Sequence, residues 1–373
     1  MLAQELTREL VRRASPSRIS NAEVSDYAEQ QLQAIGFETE RVEYADDEGV
    51  RKVNVIGKKG RGGSGLTFFG HTDTVPADNW FEGSPFDPFV RDGRLFGRGS
   101  CDMKGPVACM FAAAAQFKPA DLARPVYIVC TADEEVGYGG ATQVVERSRL
   151  FQEIKTGPGI IGEPTRLEVV YAHKGAIGFI ATAHGRAAHS STGLGLNANL
   201  AVIPFLAEMK KMHDELTTDP RYRNDEFKPP TPGWNIGLSD FGTPVNVTAP
   251  RSVATVYCRP MPGTPIDEIV GRVRRAAEAN SLELKIVGHG RPVYTDPKSP
   301  FVRDVLAVTG HTAPHTVPYG TDGLAFAPHM PVVVCGPGDI AQAHTIDEWI
   351  SLEQLERGTE LYTRLIRRFC TQN

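Results

Sequence analysis

Six side chains able to bind a metal ion or move a proton stand just after apolar runs or just before one. His71 follows Leu66-Thr67-Phe68-Phe69-Gly70, and Glu134-Glu135 follow Val126–Cys130 by way of a short polar link. Glu163 follows Ile160-Ile161-Gly162, and His344 closes the loop after Val332–Cys335. Asp102 precedes Gly105–Phe117, a stretch rich in alanine and methionine. In open α/β sheets the ligand crevice lies at the carboxyl ends of the strands. Two histidines and four carboxylates gathered there would be costly unless a cation neutralised them. Imidazole with carboxylate is a normal zinc set, and more than four such groups can hold two metals bridged by one carboxylate. Taken singly, each residue has a plainer reading. A strand-end carboxylate usually caps a helix or faces water, and Asp102 suits the positive end of the helix that follows it. Only the ensemble points to metal chemistry.

Two neighbours refine the reading. A ligating imidazole tends to give its other N–H to a carboxylate, which fixes its tautomer. Asp73, two residues after His71 around a tight turn, is within reach for that. Adjacent Glu134 and Glu135 point opposite ways if the chain is extended, so one can bind metal while the other faces substrate. A carboxylate beside a metal-bound water can serve as its general base.

The elements that must position these groups are legible as patterns. Leu2–Arg13 and Asn21–Ile35 have helical periodicity, and Gly36 ends the second. The apolar runs read as buried strands that alternate with helices, which predicts an α/β sheet. The middle of the chain differs. Ala176–His184 and Ala254–Arg259 read as strands, Leu196–Met212 and Ile266–Ala279 as helices, and Asp225–Gly233 is proline-rich. This predicts a small domain, residues 172–291, inserted into a larger one formed by residues 1–171 and 292–373.

Composition limits the classes of function. At 373 residues, two domains are the prior expectation. The net charge of −5 argues against nucleic-acid or membrane-surface partners, because phosphate-binding domains carry a basic excess. No apolar run approaches the length of a membrane span, and MLAQELTRELVRR lacks the apolar centre of a signal peptide. The six cysteines form no C-x-x-C pair and read as buried free thiols in a reducing cytoplasm.

In order along the chain come GHTDTVP (70–76), Trp80, Asp87-Pro88-Phe89, GRGSCDMKG (97–105), TADEE (131–135) and IIGEPT (160–165). These motifs resemble the co-catalytic zinc aminoacylase and carboxypeptidase family, and the resemblance covers almost the whole chain. It implies a zinc-peptidase-like catalytic domain with a central mixed sheet, plus an inserted smaller α+β domain that acts as lid and dimer interface. It also implies two zinc ions, with cobalt or manganese able to fill either place. His71, Asp102 and Glu163 match the ligands of one ion, and Asp102, Glu135 and His344 those of the other. Glu134 matches the general base, and Asp73 the partner of His71. His189 matches a lid histidine that approaches the substrate carbonyl, in dimeric members from the partner subunit. Asn246 and Arg259 match positions that bind the polar end of the substrate, where an arginine fork suits a carboxylate. Two departures fall on the lid: Tyr257 stands where the family often has aspartate, and Phe241-Gly242 where it often has a glycine pair.

The implied activity is metal-dependent hydrolysis of the amide bond of an N-acyl amino acid. Ala172-His173-Lys174-Gly175, His189-Ser190-Ser191, Gly336-Pro337-Gly338 and the segment Ile340–Trp349 resemble members of that family that act on N-acetylornithine, and the resemblance implies this substrate within the class. N-succinyl-diaminopimelate, another N-acyl amino acid or a dipeptide are the alternatives. A non-catalytic binding protein on the same fold is the reading from another class. Every expected ligand and the base are present in this chain, which disfavours it.

Overall fold

The computed structural model describes residues 2–372. Contacts divide the chain into two compact units: Met1–Ala172 with Tyr294–His315 and Thr321–Asn373, and His173–Val293 with Thr316–Gly320.

The first unit is α/β and is built on a mixed sheet. From one edge its strands run Glu38–Ala45, Arg51–Lys59, Val126–Thr131, Leu66–His71, Gly159–Pro164 and Val332–Gly336. Leu66–His71 pairs parallel with both Val126–Thr131 and Gly159–Pro164, and Val332–Gly336 pairs parallel with Gly159–Pro164. Every residue of these four strands is buried. Central parallel strands are covered on both faces and so read as continuous apolar runs, which is why they were visible in the sequence. Their parallel direction brings the carboxyl ends of all four to one edge of the sheet.

The helix Gly105–Ala114 is buried along its whole length, and with Leu352–Cys370 it contributes to the main core. Two glycines let it approach the ends of the strands. A Cβ at Gly162 would lie 2.3 Å from Met110 Cε, and one at Gly70 would lie 2.7 Å from Val107 Cγ2. The close approach keeps the helix start, and Asp102 just before it, against the strand ends.

Glu38–Ala45 and Arg51–Lys59 carry no continuous apolar run. Glu38–Ala45 buries only Val42. Arg41, within it, pairs with Asp26 at 2.8 Å, Glu29 at 2.7 Å and Glu43 at 3.1 Å. An edge strand held this way shows charge alternation rather than an apolar run. Its antiparallel neighbour Arg51–Lys59 is interrupted by buried Lys52, Asn54 and Lys59, and polar residues at core positions hide the strand.

The second unit carries a four-stranded antiparallel sheet in the order Gly233–Ser239, Arg251–Arg259, Ala176–His184, Glu283–Gly290. Helices Ala198–Thr218 and Ile266–Ala279 share its core. The expected strand–helix–strand–helix–strand pattern lacks one element, the strand Gly233–Ser239. It lies at the sheet edge and has no fully buried residue, so neither face carries a clear pattern. Among the described residues no helix is long and apolar enough to cross a membrane.

Candidate metal centre

The carboxyl ends of the parallel strands deliver the expected residues to one place. His71 is the last residue of its strand, Glu163 lies near the end of Gly159–Pro164, and Glu134-Glu135 follow Val126–Thr131. Asp102 has φ −120° and ψ 96°. It is extended rather than helical, in the turn before Gly105–Ala114.

Asp102 faces two ways. Its Oδ1 lies 3.1 Å from His71 Nε2, and its Oδ2 lies 3.3 Å from His344 Nε2. On the first side Glu163 Oε1 is 3.6 Å from His71 Nε2, and on the second Glu135 Oε2 is 3.0 Å from His344 Nε2. The candidate ligand atoms of His71, Asp102 and Glu163 lie within 4.8 Å of one another, as do those of Asp102, Glu135 and His344. The two groups thus share one carboxylate through its separate oxygens, which suits a pair of divalent ions. Glu135 Oε1 is buried without a hydrogen-bond partner. Such an orphaned acceptor is costly, and a cation would satisfy it. The residues fit the metal pair that the donor set calls for.

Electrostatics show the same crowding. Burial pushes Glu134 and Glu163 well above the usual carboxylate range; neighbouring carboxylates add to this, while the charge of His71 opposes it. Burial would also raise Asp102, but hydrogen bonds with His344 and His71 take it far below its ordinary value. Burial would lower His71, yet the hydrogen bond to Asp102 and the charges of Glu163, Glu134 and Asp73 raise it well above 6.5. His344 is raised to about 10 by its hydrogen bonds to Asp102 and Glu135.

His71 Nδ1 lies 3.0 Å from the main-chain oxygen of Asp73 and 3.6 Å from its Oδ1. The carbonyl is the closer acceptor for the ring N–H, and the carboxylate stands behind it. Asp73 also accepts from Ser17 Oγ at 2.7 Å and from the amides of Glu134 at 3.2 Å and Glu135 at 3.3 Å. One carboxylate therefore sets both the imidazole surroundings and the backbone of the acidic pair. Glu134 belongs to neither ligand group, yet it is buried and within the electrostatic reach of His71 and Glu163.

In the second unit, His189 and Asn246 are exposed and adjacent. His189 bridges to Val247, and Ser190 N–H donates to Asn246 O at 2.9 Å. Arg259 is not with them. It ends the strand Arg251–Arg259 whose start adjoins Pro250, a strand length of about 26 Å away at ~3.3 Å per residue. The guanidinium stacks over Tyr257 at 5.0 Å, and its Nη1 is buried without a partner.

Ser17 and Glu348 escaped the sequence reading. Ser17 lies in a loop without a pattern, and its partner Asp73 is 56 residues away. Glu348, four residues after His344, is buried at the backbone of Gly99, Cys101 and Asp102. Its place inside the segment Ile340–Trp349 was its only signal.

With this geometry in view, comparisons with known proteins agree with one another. The profile of peptidase family M20/M25/M40 matches residues 67–368. The chain is 35% identical to an acetylornithine deacetylase of Myxococcus xanthus, over 97% of this chain and 96% of that one. It is 33% identical to an acetylornithine deacetylase of Pasteurella multocida, over 91% and 89%. Its fold is similar to an M20 metallo-carboxypeptidase from Sulfolobus solfataricus, with a TM-score of 0.79 at 16% identity, covering 98% of each chain. It is also similar to a dinuclear metal-binding peptidase of the same family from Bacillus subtilis, with a TM-score of 0.67 at 15% identity over 97% and 96%. The shared carboxylate, the strand-end ligands and the matched length agree: this chain belongs to peptidase family M20/M25/M40 and is a metal-dependent amidohydrolase.

Proposed function

We propose that the chain hydrolyses the amide bond of an N-acyl amino acid, and that its substrate is N-acetylornithine, cut to ornithine and acetate as a step of arginine biosynthesis in the cytoplasm. One observation carries the chemistry: Asp102 presents a separate oxygen to each of two histidines, each with its own second carboxylate. The substrate assignment draws on relatives at 31–35% identity that are acetylornithine deacetylases.

In this reading His71, Asp102 and Glu163 hold one ion, and Asp102, Glu135 and His344 the other. The ions are zinc, with cobalt or manganese as substitutes. When bound they supply Lewis-acid polarisation of the acyl carbonyl and acidify the attacking water. Glu134 accepts the proton of that water at its carboxylate, holds it, and delivers it to the leaving amine. Asp73 keeps His71 and the Glu134-Glu135 backbone in place.

His189 donates to the developing oxyanion. Its Nδ1 accepts from Ser191 N–H at 3.3 Å and lies 2.8 Å from Ser191 Oγ. In the neutral ring this leaves the proton on Nε2, which makes that nitrogen a donor. Asn246 beside it, and Arg259, bind the polar end of the substrate. Because His189 and Asn246 lie a strand length from Arg259, we assign the two sets to sites of different subunits in a homodimer. The second unit acts as lid and interface. Leu194, Leu196, Leu200, Ile203, Leu238 and Phe241 are all more than half exposed, and exposed large apolar side chains suit association.

The test is a comparison of kcat/KM for N-acetylornithine, N-succinyl-diaminopimelate and a panel of dipeptides with metal-loaded protein. N-acetylornithine is expected to give the highest value, and a reversed order would overturn the substrate assignment.

A further inference from the structure

We propose that Glu348 is a positioning residue that preforms the second ion site by clamping the turn that carries Asp102 to the segment that carries His344. The proposal rests on the reading of Asp102 and His344 as ligands and deepens it.

The clamp is made by one buried carboxylate. Glu348 Oε1 accepts from the amides of Cys101 at 2.8 Å and Asp102 at 3.0 Å. Oε2 accepts from the amide of Gly99 at 3.0 Å and from Arg98 Nη1 at 2.7 Å. The side chains of Glu348 and Arg98 are 1% and 4% exposed. The main chain of Glu348 also takes part, because its carbonyl accepts from Gly97 N–H at 3.0 Å. The next three residues, Trp349–Ser351, pair antiparallel with Arg94–Phe96, so a short ladder fixes the chain immediately after Glu348. Both ends of the clamp are thus held.

Asp102 needs such support. Its φ and ψ are not helical, so no helical hydrogen bonding defines where its carboxylate points. His344 is the least supported ligand. Its side chain is 54% exposed, its φ is +64°, and it sits in a loop rather than at a strand end. His71 and Glu163, by contrast, belong to buried central strands. The second ion group therefore depends on the Glu348 clamp more than the first does.

A plainer role, a buried ion pair that only stabilises the fold, differs in what it predicts. In Glu348→Gln one of the two oxygens becomes an NH2 group. In either orientation of the amide, that group faces donors: Cys101 and Asp102 N–H, or Gly99 N–H and Arg98. The turn must then shift. Outer partners of metal ligands change affinity on the order of 10- to 100-fold when mutated.

The experiment is a titration of metal-free protein with Zn2+ against a competing chelator, which reads two separate affinities. Wild type is expected to bind two ions. Glu348→Gln is expected to weaken the second on the order of 10-fold or more and the first by less, because Asp102 is shared while His71 and Glu163 stay in buried strands. Arg98→Lys, which keeps the charge and all three amide bonds, should leave the second affinity within about threefold. Should Glu348→Gln fail to fold, Glu348→Asp keeps the charge but withdraws the carboxylate by one methylene, and should show the same selective loss. Folded Glu348 variants that bind both ions as wild type does would overturn the clamp. So would an Arg98→Lys variant as impaired as Glu348→Gln. Wild type binding fewer than two ions would overturn the two-ion reading itself and the clamp with it.

Discussion

Glu134→Gln separates chemistry from metal binding more cleanly than any other substitution. Glu134 lies outside both ligand groups, while the neighbouring Glu135 Oε2 is 3.0 Å from His344. Gln has the same shape as Glu, and the backbone N–H of residue 134 stays bonded to Asp73. Two ions should therefore still bind. What is lost is the proton acceptor, a contribution of about 10^2- to 10^4-fold, or about 3–5 kcal/mol at 1.36 kcal/mol per decade. The loss should fall on kcat, with KM little changed. The metal-free protein offers an independent check. Burial, first, and then the charges of Glu163 and Glu135 raise the folded-state pKa of Glu134 well above 4.5. A group raised in this way contributes stability that is present below about pH 4.5 and is lost as pH rises through its folded-state value. Gln cannot ionise, so it keeps what Glu134 loses. Melting of metal-free Glu134→Gln should gain on wild type as pH rises from 4.5 upward. Rates come from single-substrate kinetics, ion content from elemental analysis, and stability from melting curves at several pH values. A variant with near-wild-type kcat would refute the assignment of the base. One that loses an ion would refute its separation from the ligand set.

The same geometry sets the remaining expected outcomes. Glu135→Gln should instead weaken one ion, the one shared with His344, which titration with Zn2+ against a chelator reads directly. Metal binding at pH 7 should release about one proton from His344, since ligation requires neutral imidazole while hydrogen bonds to Asp102 and Glu135 outweigh burial there and raise its pKa to about 10 in the metal-free protein. Indicator dye in weak buffer measures this, and no release would contradict the assignment of His344. His189→Ala should lower kcat by about 10^2- to 10^3-fold, the cost of one oxyanion donor, without altering ion content. Mixing it with Glu134→Gln subunits under exchange should restore part of the activity; no restoration despite proven exchange would rule out action across subunits.

Much of the centre was legible in the sequence because buried parallel strands are apolar on both faces. Such strands announce themselves as runs, and the residues just after a run lie at a carboxyl end. His71, Glu163 and the Glu134-Glu135 pair could be placed by that rule alone, and the long ordered motifs matched the rest to a family. Strands stabilised by charge pairs or lying half-exposed at an edge, such as Glu38–Ala45 and Gly233–Ser239, carry no such signal.

Three-dimensional structure alone decided how the parts share atoms. Sequence placed Asp102 before a helix but left open whether it merely capped it; the fold turned its two oxygens toward two different histidines. Sequence put Asp73 near His71, yet the main-chain carbonyl is the closer partner and the carboxylate also holds the acidic pair. Arg98 and Glu348 are 250 residues apart, and no local pattern joins them. Periodicity and strand-end position depend on neighbours along the chain, whereas hydrogen bonds and shared ligands depend on neighbours in space. Those spatial neighbours exist only once the apolar strands have packed and brought distant loops to one edge of the sheet.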